Sequence, residues 1–382
     1  MDQKVQKAML PFLRSEFGNP SSIHQLGQRA KAAVEKAREQ IAAFLGCSSN
    51  EIVFTSGATE ANNLAIQGCV RPGFTHSRVP HVVIFAIEHE SLLVQVKELE
   101  KQGVLQASYI PPGKDGIINP EAVEKSIKEN TVLVSIQYVN SEIGTVQPIA
   151  EIGKIISKKN ESSVVGRRSL VKFHTDAVQA ANYLDCNVEK LRVDLLTLSS
   201  HKIYGPKGVG ILYIRKGTAI SPLILGGGQE QDMRPGTENV AGIVGMAEAI
   251  REVQNPKVRI QHIKMRHMRD KFVGDSKKRI SDVEVTGSLE HRVPNNVHLR
   301  ILGVEGKDVV LLLDQKGVAV STGSACSERS QEPSHVVRAL GCSNDEARSA
   351  VRITLGKYTR KEEMEKAFKA LEQVVGQLRQ KK

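Results

Sequence analysis

Residues 194–215 read DLLTLSSHKIYGPKGVGILYIR. DLLTL has the character of a buried strand and VGILYIR of a second one. Between them lie two serines, a histidine and a lysine, before the chain turns through Gly205, Pro206, Lys207 and Gly208. Lysine is among the residues least often buried. Lys202 is therefore either a plain surface residue of a turn or an amine nucleophile whose partners come from elsewhere in the chain. In an open α/β sheet such partners would meet it, because there ligands bind beyond the carboxyl ends of the strands.

Outward from this stretch, short apolar runs alternate with helical periodicity. An amphipathic helix is predicted over 22–46: Ile23, Leu26, Ala30, Val34, Ala37, Ile41 and Leu45 recur at spacings of three and four, Ser21 or Ser22 can cap it, and Gly46 stops it. EIVFT (51–55), HVVIFAI (81–87), TVLVSIQY (131–138) and LVKFHTD (170–176) read as further strands, with helices following the first three. Strands alternating with helices predict an α/β fold with a mainly parallel sheet and helices on both faces. KKNESSVVGRRS (158–169) reads as a surface loop. From about 255 the pattern changes to a long basic helix, the strands VEVTGS and NNVHLRI, a helix over 306–315 and a terminal helix from 360, which predicts a smaller α+β C-terminal domain. The expected division is 1–254 and 255–382.

A chain of 382 residues has room for two domains. No run approaches the roughly 18 apolar residues of a membrane span, and the apolar stretch of MDQKVQKAML is too short for a signal peptide. The five cysteines (47, 69, 186, 326 and 342) are odd in number and form no CxxC pair. That argues against a disulfide framework or zinc site and for a reducing, cytoplasmic setting. The net charge of +11 permits acidic partners, but the basic residues are scattered, so no direct nucleic-acid contact is expected.

Chemistry-bearing residues gather at the predicted strand ends. FTSGATEANN (54–63) is a strand, a glycine turn and a helix opening at Thr59, which suits an anion held by free backbone N–H groups, though an ordinary capped helix reads the same way. It has neither the Gly-Lys-Ser/Thr of a Walker loop nor a GxGxxG pattern. His89 follows a strand in EHES, and Asp176 and Gln179 follow another in HTDAVQ; alone, each is a structural histidine or a helix cap. Thr59, His89, Ser141, Asp176 and Lys202 together form a phosphate cradle, a ring-stacking imidazole, an acid and an amine. Pyridoxal phosphate needs that set: an amine for its aldehyde and a carboxylate for its ring nitrogen.

On these segments the chain resembles the pyridoxal-phosphate-dependent cysteine desulfurases, fold-type I enzymes of the class-V aminotransferase group. The matching stretches run almost end to end: FGNPSSIH, FTSGATEANNLAI, EHES, VNSEIGTVQPI, HTDAVQ, SSHKIYGPKG, GGGQEQDMRPGTEN, STGSAC, EPSHVVRALG and VRITLGKYT. The resemblance implies that Lys202 is the Schiff-base lysine, Asp176 the partner of the ring nitrogen, Gln179 a contact of the ring hydroxyl and His89 the stacking residue, with His89 a catalytic group beside Lys202 and Cys326. Ala58, Thr59, Ser199 and His201 would hold the phosphate. Thr237 would reach the phosphate of a neighbouring subunit, implying a homodimer, and Arg352 would bind the substrate carboxylate. Cys326, in the polar stretch STGSACSERSQEPSH, would take sulfur from L-cysteine as a persulfide, leaving alanine. The large domain would then bind the cofactor and the small one carry the cysteine loop. The implied partner is a sulfur-acceptor protein such as an iron–sulfur cluster scaffold. The residues also admit a selenocysteine lyase or, from a different class, a non-catalytic basic binding or scaffold protein on the same fold.

Two departures from the family pattern stand out. Ser141 occupies the place of an asparagine before the Glu of NNEIG, so the amide contact to the cofactor hydroxyl is missing. The family's N-terminal strand does not precede Met1, which implies a truncated start or a more open substrate pocket.

Overall fold

The computed structural model describes residues 1–71, 79–163, 170–323 and 332–380. The chain divides into two compact units, Met1–Ile110 with Pro120–Tyr138 and Pro148–Asn255, and Pro111–Asn119 with Val139–Gln147 and Pro256–Lys382. The division is not a single cut at 254/255. Residues 139–147 belong with the second unit because their backbone is tied there: Val146 N donates to His291 O at 2.9 Å, Val293 N to Gly144 O at 3.0 Å, and Ser288 N to Asp115 O at 2.7 Å. Those partners are far apart in sequence, so no local pattern announces them.

In the first unit, α1 (Gln3–Arg14) and α2 (Gln25–Leu45) precede β1 (Ile52–Thr55), α3 (Ala58–Val70), β2 (His81–Phe85), α4 (Glu90–Lys101) and β3 (Gln106–Ile110). Then come α5 (Pro120–Ser126), β4 (Thr131–Ser135), α6 (Ile149–Ser163), β5 (Lys172–Asp176), α7 (Val188–Leu191), β6 (Leu195–Ser199), β7 (Gly210–Ile214) and α8 (Val240–Val253). The seven strands form one sheet in the order β1-β7-β6-β5-β4-β2-β3. The pairs among β2, β3, β4, β5 and β6 are parallel, while β7 runs antiparallel to both β6 and β1. The expected mainly parallel sheet flanked by helices is what forms. β2 and β4 are buried at every position and β5 at all but its first, as strands covered on both faces must be. α2 ends as expected at Gly46, whose left-handed φ of 70° suits glycine, but it starts at His24, whose Nδ1 accepts from Gly27 N, rather than at a serine.

The second unit carries α9 (Pro256–Arg279), β8 (Val283–Val285), β9 (Asn296–Ile301), α10 (Gly306–Gln315), α11 (His335–Ala339), α12 (Asn344–Arg348), β10 (Ala350–Thr354) and α13 (Lys361–Gln380). Its sheet is antiparallel in the order β10-β9-β8. α9 packs on α13, with Phe272 and Phe368 edge to face at 5.7 Å between ring centres. Among the described residues, no helix is long and apolar enough to cross a membrane.

Candidate active site

The strand directions of the first unit bring the carboxyl ends of β1, β2, β5 and β6 to one edge of the sheet. In register, Thr55 of β1 and Ser199 of β6 both face Gly210 of β7. At this edge the structure gathers Ala58, Thr59, His89, Asp176, Gln179, Ser199, His201 and Lys202.

β5 ends on Asp176, which is 8% exposed. Its Oδ2 accepts from Asn62 Nδ2 at 2.9 Å and its Oδ1 from Val178 N at 3.0 Å. The carboxylate thus closes its own turn, as a capping residue would, while lying at the ligand edge. Glu88, 1% exposed, accepts from Gln137 N. Burial holds the Glu88 carboxyl well above the usual range, against the pull of the Gln137 N–H, and the charge of Asp176 adds to the rise. His89 is half-buried and caps α4, its Nδ1 accepting from Ser91 N at 3.1 Å. Gln179 is half-buried in the turn after β5.

α3 opens on Gly57, which supplies no side-chain cap to the amides of the first turn. Ala58 there is half-buried and Thr59 exposed. The backbone of β7 comes close behind: a Cβ on Gly210 would stand 2.8 Å from Gly57 Cα. The stretch 226–239 is tied to this turn, because Arg234 Nε donates to Glu60 Oε1 at 2.9 Å while Glu60 Oε2 accepts from Ser56 N at 2.8 Å. A second tie is buried: Arg38 forks onto both oxygens of Glu230 at 2.7 Å, and Glu230 Oε2 also accepts from Phe54 N. Thr237 on the same stretch is exposed.

The lysine stretch leaves β6 as a single 3₁₀ turn, Ser200–Ile203, ended by Tyr204 in a left-handed conformation at φ 65°. His201 and Lys202 are exposed on it. Ser199 Oγ lies 2.9 Å from His201 Nδ1. Burial, then the charges of Lys202 and Lys207, push the His201 imidazole down. Ser200 Oγ is buried and meets no hydrogen-bond partner. Uncapped amides at the start of a 13-residue helix suit a phosphate. A buried carboxylate held by two N–H donors suits a protonated ring nitrogen. The donor set fits pyridoxal phosphate.

In the second unit, Arg352 of β10 donates from Nη1 to the backbone carbonyl of Ser141 at 3.0 Å. The turn holding Ser141 is closed by Asn140, whose Oδ1 accepts from Glu142 N and Ile143 N, both at 2.9 Å. The Glu142 carboxylate is buried and accepts from Ser334 Oγ at 2.6 Å. Cys326 lies outside the described residues. The other cysteines are poor nucleophiles: burial pushes Cys47, Cys69 and Cys186 up to about 12 and raises Cys342.

Sequence reading missed Asn62, Ser91, Glu88 and the Arg38–Glu230 pair. Asn62 had a visible signal. It is a polar residue on the buried side of α3, among Ala61, Leu64, Ala65 and Ile66, and such a residue requires a partner inside.

The aminotransferase class-V family profile matches residues 1–367. The cysteine desulfurase IscS of Dictyoglomus turgidum is 45% identical over 99% of this chain and 92% of its own length. Among solved structures, a NifS-like protein superposes with a TM-score of 0.89 at 36% identity, covering 99% of this chain and 97% of its own. The structure of SspA in complex with cysteine gives a TM-score of 0.80 at 33% identity, covering 94% and 97%. With an α/β sheet whose ligand edge carries the lysine, the acid and the uncapped helix, the chain belongs to the class-V aminotransferase family, among its cysteine desulfurases.

Proposed function

We propose that this protein takes sulfur from L-cysteine, releases L-alanine and carries the sulfur as a persulfide on Cys326, using pyridoxal 5'-phosphate. When bound, that cofactor supplies an attachment for the substrate amine and an electron-withdrawing ring that weakens bonds at Cα. Ala58, Thr59, Ser199 and His201 hold its phosphate, Asp176 its ring nitrogen, Gln179 its ring hydroxyl, and His89 covers its face. Lys202 Nζ holds the cofactor and takes the Cα proton. Arg352 binds the substrate carboxylate through its guanidinium fork. Cys326 Sγ, as thiolate, attacks the substrate sulfur: the Cβ–S bond breaks, an S–S bond forms, Cβ gains a proton and Cα regains the one Lys202 took, so that cysteine and an enzyme thiol give alanine and an enzyme persulfide.

The observation that carries this reading is the ligand edge of the first unit, where Lys202 shares one sheet edge with a buried, doubly hydrogen-bonded Asp176 and an uncapped helix start. Relatives named cysteine desulfurase support the substrate. An acceptor protein receives the persulfide sulfur, with an iron–sulfur scaffold as the expected class. A homodimer is part of the proposal, with Thr237 reaching the neighbour's phosphate; exposed Leu13, Phe17, Ile23 and Leu225 in the same unit offer apolar surface for it.

The test mixes L-cysteine with purified wild type, Lys202→Ala and Cys326→Ala, following cofactor absorbance, alanine and persulfide. Lys202→Ala should lose the covalently held cofactor and nearly all turnover. Cys326→Ala should keep the cofactor and its spectral response to cysteine, yet form neither alanine above background nor persulfide. Alanine from Cys326→Ala at the wild-type rate would overturn the reading in favour of another enzyme sharing the pocket.

A further inference from the structure

Asn62 is fully buried on α3, and its amide is committed in a single orientation. Nδ2 donates to Asp176 Oδ2 and to Ser91 Oγ, each at 2.9 Å, while Oδ1 is buried and meets no hydrogen-bond partner. A side-chain amide has two N–H donors, and both are used here. Turning the amide over would set its oxygen against an acceptor-only carboxylate. The surroundings are fixed in turn: Gln95 Nε2 donates to Asn62 O at 3.1 Å and to Ser91 O at 2.6 Å.

The direction of these bonds propagates. Ser91 Oγ receives a hydrogen from Asn62 and turns its own towards His89 Nδ1, 2.9 Å away. His89 Nδ1 also accepts from Ser91 N at 3.1 Å. An imidazole nitrogen facing two donors carries no proton, so the neutral ring holds its hydrogen on Nε2. In the chain Asp176–Asn62–Ser91–His89 the hydrogens therefore run outward from Asn62, to Asp176 on one side and through Ser91 to His89 on the other.

We propose that Asn62 is the positioning residue that joins Asp176 and His89 into one hydrogen-bonded unit and, through Ser91, holds His89 in the tautomer with its proton on Nε2. This deepens the cofactor reading above and rests on it for the meaning of the two end groups, one assigned to the ring nitrogen and the other to the ring face. In this arrangement His89 presents a donor at Nε2, so proton abstraction belongs to Lys202.

The experiment labels histidine with ¹⁵N and assigns His89 by its loss in His89→Gln, in protein stripped of cofactor. Wild type should show Nδ1 unprotonated and Nε2 protonated. Asn62→Asp should give Nδ1 a minor protonated population, because the Ser91 hydroxyl turns towards the new carboxylate while the Ser91 N–H still donates to Nδ1; Asn62→Ala should show a smaller shift in the same direction. Cofactor retention should weaken about ten- to hundredfold in both, the equivalent of one hydrogen bond to a charged group. Ser91→Ala spares the bond from Asn62 to Asp176 and should alter the His89 resonances while costing clearly less retention than Asn62→Ala. A packing role alone would shift the melting temperature without touching the tautomer. A protonated Nδ1 in wild type, or wild-type resonances and retention in Asn62→Ala, would overturn the proposal. If Asn62→Ala fails to fold, Asn62→Asp and Ser91→Ala decide it. Failure of wild type to take up pyridoxal phosphate would instead overturn the proposed function, and the tautomer measurement would still stand.

Discussion

At the scale of single residues, Ser141 shows how a departure from a family pattern is absorbed. Arg352 is held by the backbone carbonyl of Ser141, not by its side chain. Ser141→Asn should therefore leave L-cysteine affinity unchanged. It should tighten cofactor binding by about tenfold at most, the worth of one neutral hydrogen bond. Equilibrium titration of the cofactor-free protein measures both; unchanged or weaker cofactor binding would mean that no contact to the cofactor is made from this position. Arg38 is a different case, since its removal strands a buried charge. The Glu230 side chain is 2% exposed, and Arg38→Ala should cost about 3–5 kcal/mol in urea unfolding, whereas the double change Arg38→Met with Glu230→Leu should recover most of that. A small loss in the single variant would show that water reaches the pair. The residues proposed to react were named from the sequence because each sits in a distinctive short motif. Their supports were not, because Asn62, Ser91 and Glu88 gain meaning only from partners on other elements.

At the scale of elements, glycines decide how closely the sheet and the cradle turn approach. A Cβ on Gly210 would lie 2.7 Å from Leu198 O and 2.8 Å from the Gly57 backbone, and backbone cannot swing aside as a side chain can. Gly210→Ala should cost about 1–3 kcal/mol and also weaken cofactor retention, because Gly57 begins the cradle. Gly103→Ala is the control. Its φ of +71° costs about 1–2 kcal/mol of left-handed strain, with nothing within 4 Å to disturb, so stability should fall and retention should not. Equal retention in the two variants would sink the argument. Most strands and the longer helices were readable from periodicity, and three of the exceptions have a plain physical cause. α1 contains Pro11, which reads as a helix breaker. α8, VAGIVGMAEAIREV, is buried around most of its circumference and shows no clean stripe. β3 lies at the sheet edge with only its last residue buried, so its alternation is faint.

At the scale of the whole molecule, stability should depend on pH through buried histidines. Burial pushes His174 down to about 3 and His81 to about 4. His298 falls to about 3, by burial first and then by the charges of Arg292, Arg352 and Arg300. Below about pH 6.5 the unfolded chain protonates these rings while the folded protein does not. Stability is therefore full above that pH and is lost as pH falls towards 4 and 3, by up to about 1.4 kcal/mol per pH unit for each ring. Glu88 and Asp194, whose carboxyls are raised chiefly by burial, act in the opposite sense and blunt the slope. Urea unfolding at pH 7, 6 and 5 should show falling stability. His298→Asn should remove close to one proton from the slope at pH 5, whatever it does to absolute stability; an unchanged slope would refute the assignment. The strand order carries a further consequence, in time rather than in energy. β2, β4, β5 and β6 each pair with a strand made just before or after in the chain, but β1 is an edge strand paired with β7. At about 5–20 residues per second, β1 leaves the ribosome on the order of 10–30 s before β7 exists to receive it. The strand that leads into the Gly57 turn therefore has no sheet partner until after Lys202 has been synthesised. The residue proposed to hold the cofactor is thus made before the turn proposed to hold its phosphate can be pinned to β7.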